Sequence, residues 1–336
     1  MFTQAKACGH NLASDYGPPV LISNDFSAII HLMCSSKRTL FLILIALPFL
    51  LGVPFSTAET PLTLPPQYGR MIYQLNAESP NQLFIIGLSH RDSLTCLNGD
   101  NTPKIQAEVY KIGDWLIHYQ GLELLLPEGF FKSTSPKVEK KNISTGTPDS
   151  CGLLDMKALE ERLSDNTAYV NAEMLLKETH PLRLRQVEDR ELYNAVRNGL
   201  IKLVSCGNDS RDYSLLKSNL EYLQERRTAA MLQRIPEIVN GEFQQGTIKS
   251  KKAILTVGMY HLHEIIAYLN ENKIAIHAPL SASGKTKDYY SDLNLLKEHF
   301  GVSVILPKTL ADDQKTLEMN KLDQVVRRCQ APSPSH

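Results

Sequence analysis

The sequence predicts a mixed α/β fold: a mixed central sheet built from two related strand–Gly-x-x-His halves, with flanking helices and a helical insertion. Three observations carry this expectation. Short, largely apolar runs recur at 83–86, 122–126, 253–257 and 302–306, as expected of strands buried on both faces. Longer stretches with apolar residues at helical spacing lie between them, and alternation of this kind builds layered α/β domains. Two of the runs stop at a glycine that is followed three residues later by a histidine. The 336 residues are 43% hydrophobic and 21% charged, which excludes wholesale disorder. Lys+Arg and Asp+Glu both number 36, and this zero net charge argues against a nucleic-acid partner.

The elements follow in order. Lys37 and Arg38 precede an uncharged apolar run over 39–53, with small residues at Ser56 and Ala58. A positive stretch, an apolar stretch and a small-x-small site describe a cleaved secretory signal, so the protein is expected to be exported, periplasmic or secreted. The alternative is a membrane anchor over residues 39–55. On this reading residues 1–58 are an extension and signal segment, with Met33 a possible true start, and 59–79 are a linker or entry segment, polar and Pro-rich over 59–68. The α/β domain covers 80–310, with a helical insertion at about 150–210, and 311–336 form a C-terminal helix and tail. Ile105, Val109, Ile112 and Leu116 mark a helix over 103–118, and 132–150 read as a surface loop. A long helix over 212–240, kinked or broken near Pro236, carries Leu216, Leu220, Leu223, Met231, Ile235 and Ile238 on one stripe. Arg227 occupies the stripe position between Leu223 and Met231, where a charge needs a partner or a polar cavity. A helix over 261–270, a strand at 273–276, a helix over 292–299 and the strand at 302–306 complete the order. Cys96, Cys151, Cys206 and Cys329 follow the signal, giving two disulfides in one of three pairings or four thiols.

The chemistry gathers where strands end. Residues 83–86 lead into Gly87-Leu88-Ser89-His90, and residues 253–257 into Gly258-Met259-Tyr260-His261. Glycine is expected to turn the chain off the sheet, leaving each imidazole at the carboxyl edge where open α/β sheets gather ligands. Glu128 follows a third strand and would reach the same edge; Glu123 competes with it, and His263 and Glu264 are secondary candidates. Two imidazoles and a carboxylate can hold a divalent metal, Mn, Co or Zn, with positions left for water. His90, Glu128 and His261 are therefore the expected metal ligands, with Arg227 on a substrate carboxylate or an oxyanion. Without metal, the same set works as a carboxylate-oriented histidine base or nucleophile. Other signals fail: Pro279 breaks the P-loop pattern before Gly284-Lys285-Thr286, and Ala267 stands where a His-Glu-x-x-His motif needs histidine.

Together these residues resemble the TraB/PrgY/GumN group, which is related to the Tiki metalloproteases and more distantly to ChaN and erythromycin esterase. The resemblance rests on the two Gly-x-x-His motifs, the glutamate after a strand, and an arginine on a long helix before the second motif. Glu225-Arg-Arg-Thr-Ala-Ala-Met231 is similar to the family's Arg-Asn-x-x-Met helix, with Arg227 on the family arginine. The chain departs from the family at Leu88, Met259, Tyr260 and Thr228, and the likeness spans about 80–310, strongest over 220–280. It implies a pseudo-two-fold α/β core and a metal-dependent hydrolase acting on a peptide or protein substrate. The PrgY branch implies instead a peptide-binding regulator, and the esterase branch hydrolysis without metal.

Overall fold

Six strands in the order β1-β8-β2-β5-β3-β4 make the central sheet of the computed structural model. The structure describes residues 63–89, 99–129, 155–164, 171–206, 211–279 and 288–330, all within the unit Glu59–His336. The first elements are β1 (Gly69–Leu75), β2 (Asn81–Leu88), α1 (Thr102–Gln120) and β3 (Leu124–Pro127). Next come α2 (Met156–Ser164), α3 (Ala172–Thr179), β4 (Arg183–Leu184), α4 (Arg190–Ser205) and α5 (Arg211–Gln244). They are followed by β5 (Lys252–Gly258), α6 (Met259–Glu271), β6 (Lys273–Ile276), β7 (Tyr289–Asp292) and α7 (Asn294–Lys297). The last elements are β8 (Phe300–Pro307), α8 (Lys308–Asp312), α9 (Gln314–Met319) and α10 (Asp323–Gln330).

Strands β8, β2, β5, β3 and β4 run parallel, and β1 adds an antiparallel edge. The mixed α/β architecture expected from the apolar runs is therefore present. Leu83, Ile85 and Ile86 on β2, Ile254 and Leu255 on β5, and Val302 and Val304 on β8 have no exposed surface, because helices cover both faces. Helix α1 packs on β2 and β8, α6 on β5 and β2, and α4 and α6 lie against α5. Local chemistry sets the ends of these helices. Pro103 opens α1, and Gly121 closes it in the left-handed conformation (φ 62°) with its N–H on the Ile117 carbonyl. Asn171 caps α3 through the Met174 N–H, and Asp189 caps α4 through the N–H groups of Glu191 and Leu192.

Four expectations are corrected. Helix α5 continues through Pro236 as one element of 34 residues. Strand β6 leaves the main sheet and pairs antiparallel with β7, which the sequence did not announce. The segment 59–79 contains the edge strand β1, whose Ile72 is fully buried. The two motif glycines do not turn the chain in the same way. Gly87 lies inside β2 opposite Val257, whereas Gly258 is the extended N-cap of α6 (φ −60°, ψ 148°).

Residues 1–62 lie outside the described set, and with them the expected signal segment. So do the loop 132–150, Cys96, Cys151 and the side chain of Cys329. Among the described residues no helix is long and apolar enough to cross a membrane.

Candidate active site

Parallel strands deliver their carboxyl ends to one edge, and that edge carries the site. At the end of β3, the Glu128 N–H bonds the Thr256 carbonyl at 2.9 Å and extends the ladder with β5 by one residue. The Glu128 side chain then stands beside the start of α6, where its Oε2 accepts the N–H of Gly258. A carboxylate at a helix N-terminus meets the positive end of the helix dipole. Glu123, at the opposite end of β3, accepts the Lys249 N–H at 2.6 Å. Of the two glutamates, Glu128 is the one at the carboxyl edge.

Arg227 reaches this edge from the buried face of α5. Its Nη2 donates to Glu128 Oε1 at 2.7 Å and also to Glu188 Oε1, and its Nε donates to both Glu188 oxygens at 3.0 Å. The side chain of Glu188 is fully buried and that of Arg227 is 7% exposed. The Tyr193 ring lies 5.3 Å from the guanidinium carbon, a cation–π contact. Burial pulls the guanidinium down, but the hydrogen bonds and charges of Glu188 and Glu128 outweigh it and hold the group above its ordinary value. The partner that the sequence demanded for Arg227 is thus mainly Glu188.

His261 sits in the first turn of α6 with 2% of its surface exposed. Its Nε2 is 3.4 Å from Arg227 Nη1 and 3.5 Å from Glu128 Oε1. Its Nδ1 is 2.7 Å from the Thr228 hydroxyl, which also contacts Glu264 Oε2 and the Gln224 carbonyl. Burial pushes Glu264 up to about 7, against the Thr228 hydrogen bond and the charges of His261 and Lys321. Glu128, Arg227 and His261 line one cavity of about 570 Å³, together with Ser89, Asp100, Gln224, Tyr260 and Asp313.

The structure therefore brings Glu128, Arg227 and His261 together, and His90 lies outside the described residues. Three participants escaped the sequence motifs. Glu188 was missed altogether, Thr228 was noticed only as a departure from asparagine, and Glu264 only as a neighbour of His261. The one available signal for Glu188 was a carboxylate placed between an inward Val187 and a helix cap, Asp189.

The expected metal can be tested against these donors. A divalent ion bonded to both His261 Nε2 and Glu128 Oε1, at about 2.0–2.2 Å from each, would be pressed against the Arg227 guanidinium, a like charge. Among the described residues no group of three His, Cys, Asp or Glu side chains is arranged to hold a metal. Glu128 and His261 are two of the three expected donors, and the third, His90, is not among the described residues. Compared with protein-family models, with curated proteins and with solved structures, the chain matches none.

Proposed function

We propose that this chain is an exported hydrolase of carbonyl bonds, with amides of the peptide type as its substrates, and that His261 is its general base. The observation that carries the reading is His261 in the cavity lining, its Nε2 flanked by a guanidinium at 3.4 Å and a carboxylate at 3.5 Å. The contact to Arg227 is long and readily gives way to a shorter one with incoming water. Water that donates to Nε2 loses its proton there as it attacks the substrate carbonyl, and the imidazolium returns that proton to the amide nitrogen as the C–N bond breaks. Glu128 Oε1 faces the imidazolium that forms. Arg227 Nη1, the guanidinium nitrogen that no carboxylate holds in the hydrogen bonds above, lies where an oxyanion can be stabilised.

Gln224 lines the same cavity, and its buried side-chain oxygen has no hydrogen-bond partner among the described residues. The likeness to the TraB/PrgY/GumN group supports hydrolysis, and the apolar run after Lys37-Arg38 supports export.

The test uses purified protein, a panel of short chromogenic peptide amides and p-nitrophenyl esters, and parallel samples treated with chelator. His261→Ala and Glu128→Ala are expected to lower turnover by roughly 10²-fold or more, while chelator leaves the wild type active. Activity that depends on added Mn²⁺, Co²⁺ or Zn²⁺ would instead return the site to a metallohydrolase with His90 among its ligands. Peptide binding without turnover, unchanged in His261→Ala, would make the protein a binder.

A further inference from the structure

We propose that Glu264, acting through the Thr228 hydroxyl, is a positioning residue that fixes the His261 tautomer, with its proton on Nδ1 and its lone pair on Nε2. The inference deepens the hydrolytic reading, which needs a bare Nε2, yet it can be tested without any substrate.

The argument is a count of protons. His261 and Glu264 lie one turn apart on α6 and face Thr228 on α5. Thr228 Oγ1 has three neighbours in reach: the Gln224 carbonyl at 3.0 Å, His261 Nδ1 at 2.7 Å, and Glu264 Oε2. A hydroxyl carries one hydrogen and two lone pairs, and a carbonyl or an ionised carboxylate can only accept. With Glu264 ionised, the single hydrogen must go to Glu264 or to Gln224. Turning it to Nδ1 would leave both of those oxygens facing a bare hydroxyl oxygen. Nδ1 therefore carries a proton and donates it to Oγ1.

With Glu264 protonated, the count closes completely. Glu264 and Nδ1–H each fill one lone pair of Oγ1, and the hydroxyl hydrogen goes to Gln224. At the other nitrogen, Arg227 Nη1 has only donors to offer and its 3.4 Å approach favours a bare Nε2. Glu128 Oε1 at 3.5 Å pulls the other way, so the Thr228 side decides the tautomer.

The consequence is chemical. When Nε2 takes a proton, the imidazolium's Nδ1–H already points along a hydroxyl to a carboxylate, so the new charge is met by a chain of hydrogen bonds. Glu264 does not touch the reacting atoms; it acts through Thr228.

The experiment is nitrogen-15 NMR of the full chain, read above the pH at which Glu264 ionises. His261 signals are identified by their loss in His261→Gln. The wild type is expected to show a protonated Nδ1 and a bare Nε2. Thr228→Ser keeps that pattern, and Thr228→Val, which removes the acceptor, moves the proton to Nε2. In Glu264→Gln the Nδ1–H proton resonance shifts upfield, because the carboxylate at the end of the chain is gone. A wild-type ring protonated on Nε2 would overturn the proposal. So would an Nδ1–H resonance that Glu264→Gln leaves in place, and this arm serves even if Thr228→Val fails to fold. The Glu264→Gln result does not bear on hydrolysis, which turnover of the peptide amides tests by itself, so the two readings can fail separately.

Discussion

Arg227 is a charge with almost no water around it, and its two carboxylates are all that make it tolerable. Removing one member of a buried pair leaves the other uncompensated, whereas replacing both by apolar groups removes the desolvation cost as well. Glu188→Ala is therefore expected to lower stability by about 3–5 kcal/mol, read from the midpoint of a denaturant titration. The double variant Arg227→Met/Glu188→Leu should lose less than Glu188→Ala alone; a loss equal to the sum of the single effects would show that the two side chains do not act as a pair. Glu264 makes a second prediction, through pH. Its carboxyl is raised from 4.5 to about 7 by burial, so between these values the unfolded chain has released a proton that the native one keeps. Stability must then fall as pH rises through that window, by about 3 kcal/mol at ~1.4 kcal/mol per unit, and level off above it. The groups acting on Glu264 are Thr228 and Glu225 from α5, His261 from its own helix, and Lys321 beyond α9. Glu264→Gln should flatten the curve; an unchanged slope would place the titration elsewhere. At this scale the sequence was a good guide to Glu128, Arg227 and His261, because each follows a strand or interrupts an apolar stripe. Glu188 stands in no periodic pattern, 39 positions before the arginine it neutralises, and only its place between Val187 and Asp189 marks it.

Helix α6 carries both His261 and Glu264, and what fixes it against the sheet is partly a missing side chain. A methyl at Gly87 would come within 2.6 Å of Leu262 Cδ1 on α6 and 2.8 Å of Leu306 Cδ2 on β8. Both leucines are fully buried, so neither can swing into solvent. A Gly→Ala change in an open strand usually stabilises, by reducing the freedom of the unfolded chain. Here overpacking dominates, and Gly87→Ala is expected to cost roughly 1–3 kcal/mol and to push α6 outward, lowering any activity that uses His261. A neutral result in a thermal melt would mean that α6 is not held by this contact. The same glycine shows where element-level reading stopped. An apolar run ending in glycine correctly marked a strand, but whether the glycine turns the chain or makes room for a neighbour depends on a helix and a strand far away in sequence. Strands β2, β3, β5 and β8 were legible because burial on both faces leaves an apolar run. β1 buries only Gly69 and Ile72 at an edge, β4 has two residues, and β7 is mostly exposed, so none leaves that trace.

Across the whole molecule, alternating strands and helices announced a mixed α/β sheet, but not the order of its strands. The order places β8 between β1 and β2, so among the described residues the last strand separates the first two. Among the described residues β8 is also the only strand that pairs with β1, with Gly69 opposite Pro307 and Leu75 opposite Val302. No feature of residues 69–75 taken alone can specify that pairing, because the information sits more than two hundred positions away. It has a consequence for the chain as it is synthesised. Until residue 307 has been made, β1 has no strand to join and β2 keeps one edge open, even though both are complete long before. A nascent chain thus carries an apolar strand with an unpaired edge while more than two hundred further residues are made, the kind of surface that invites the wrong partner. Closing the sheet waits for a strand that is remote in sequence.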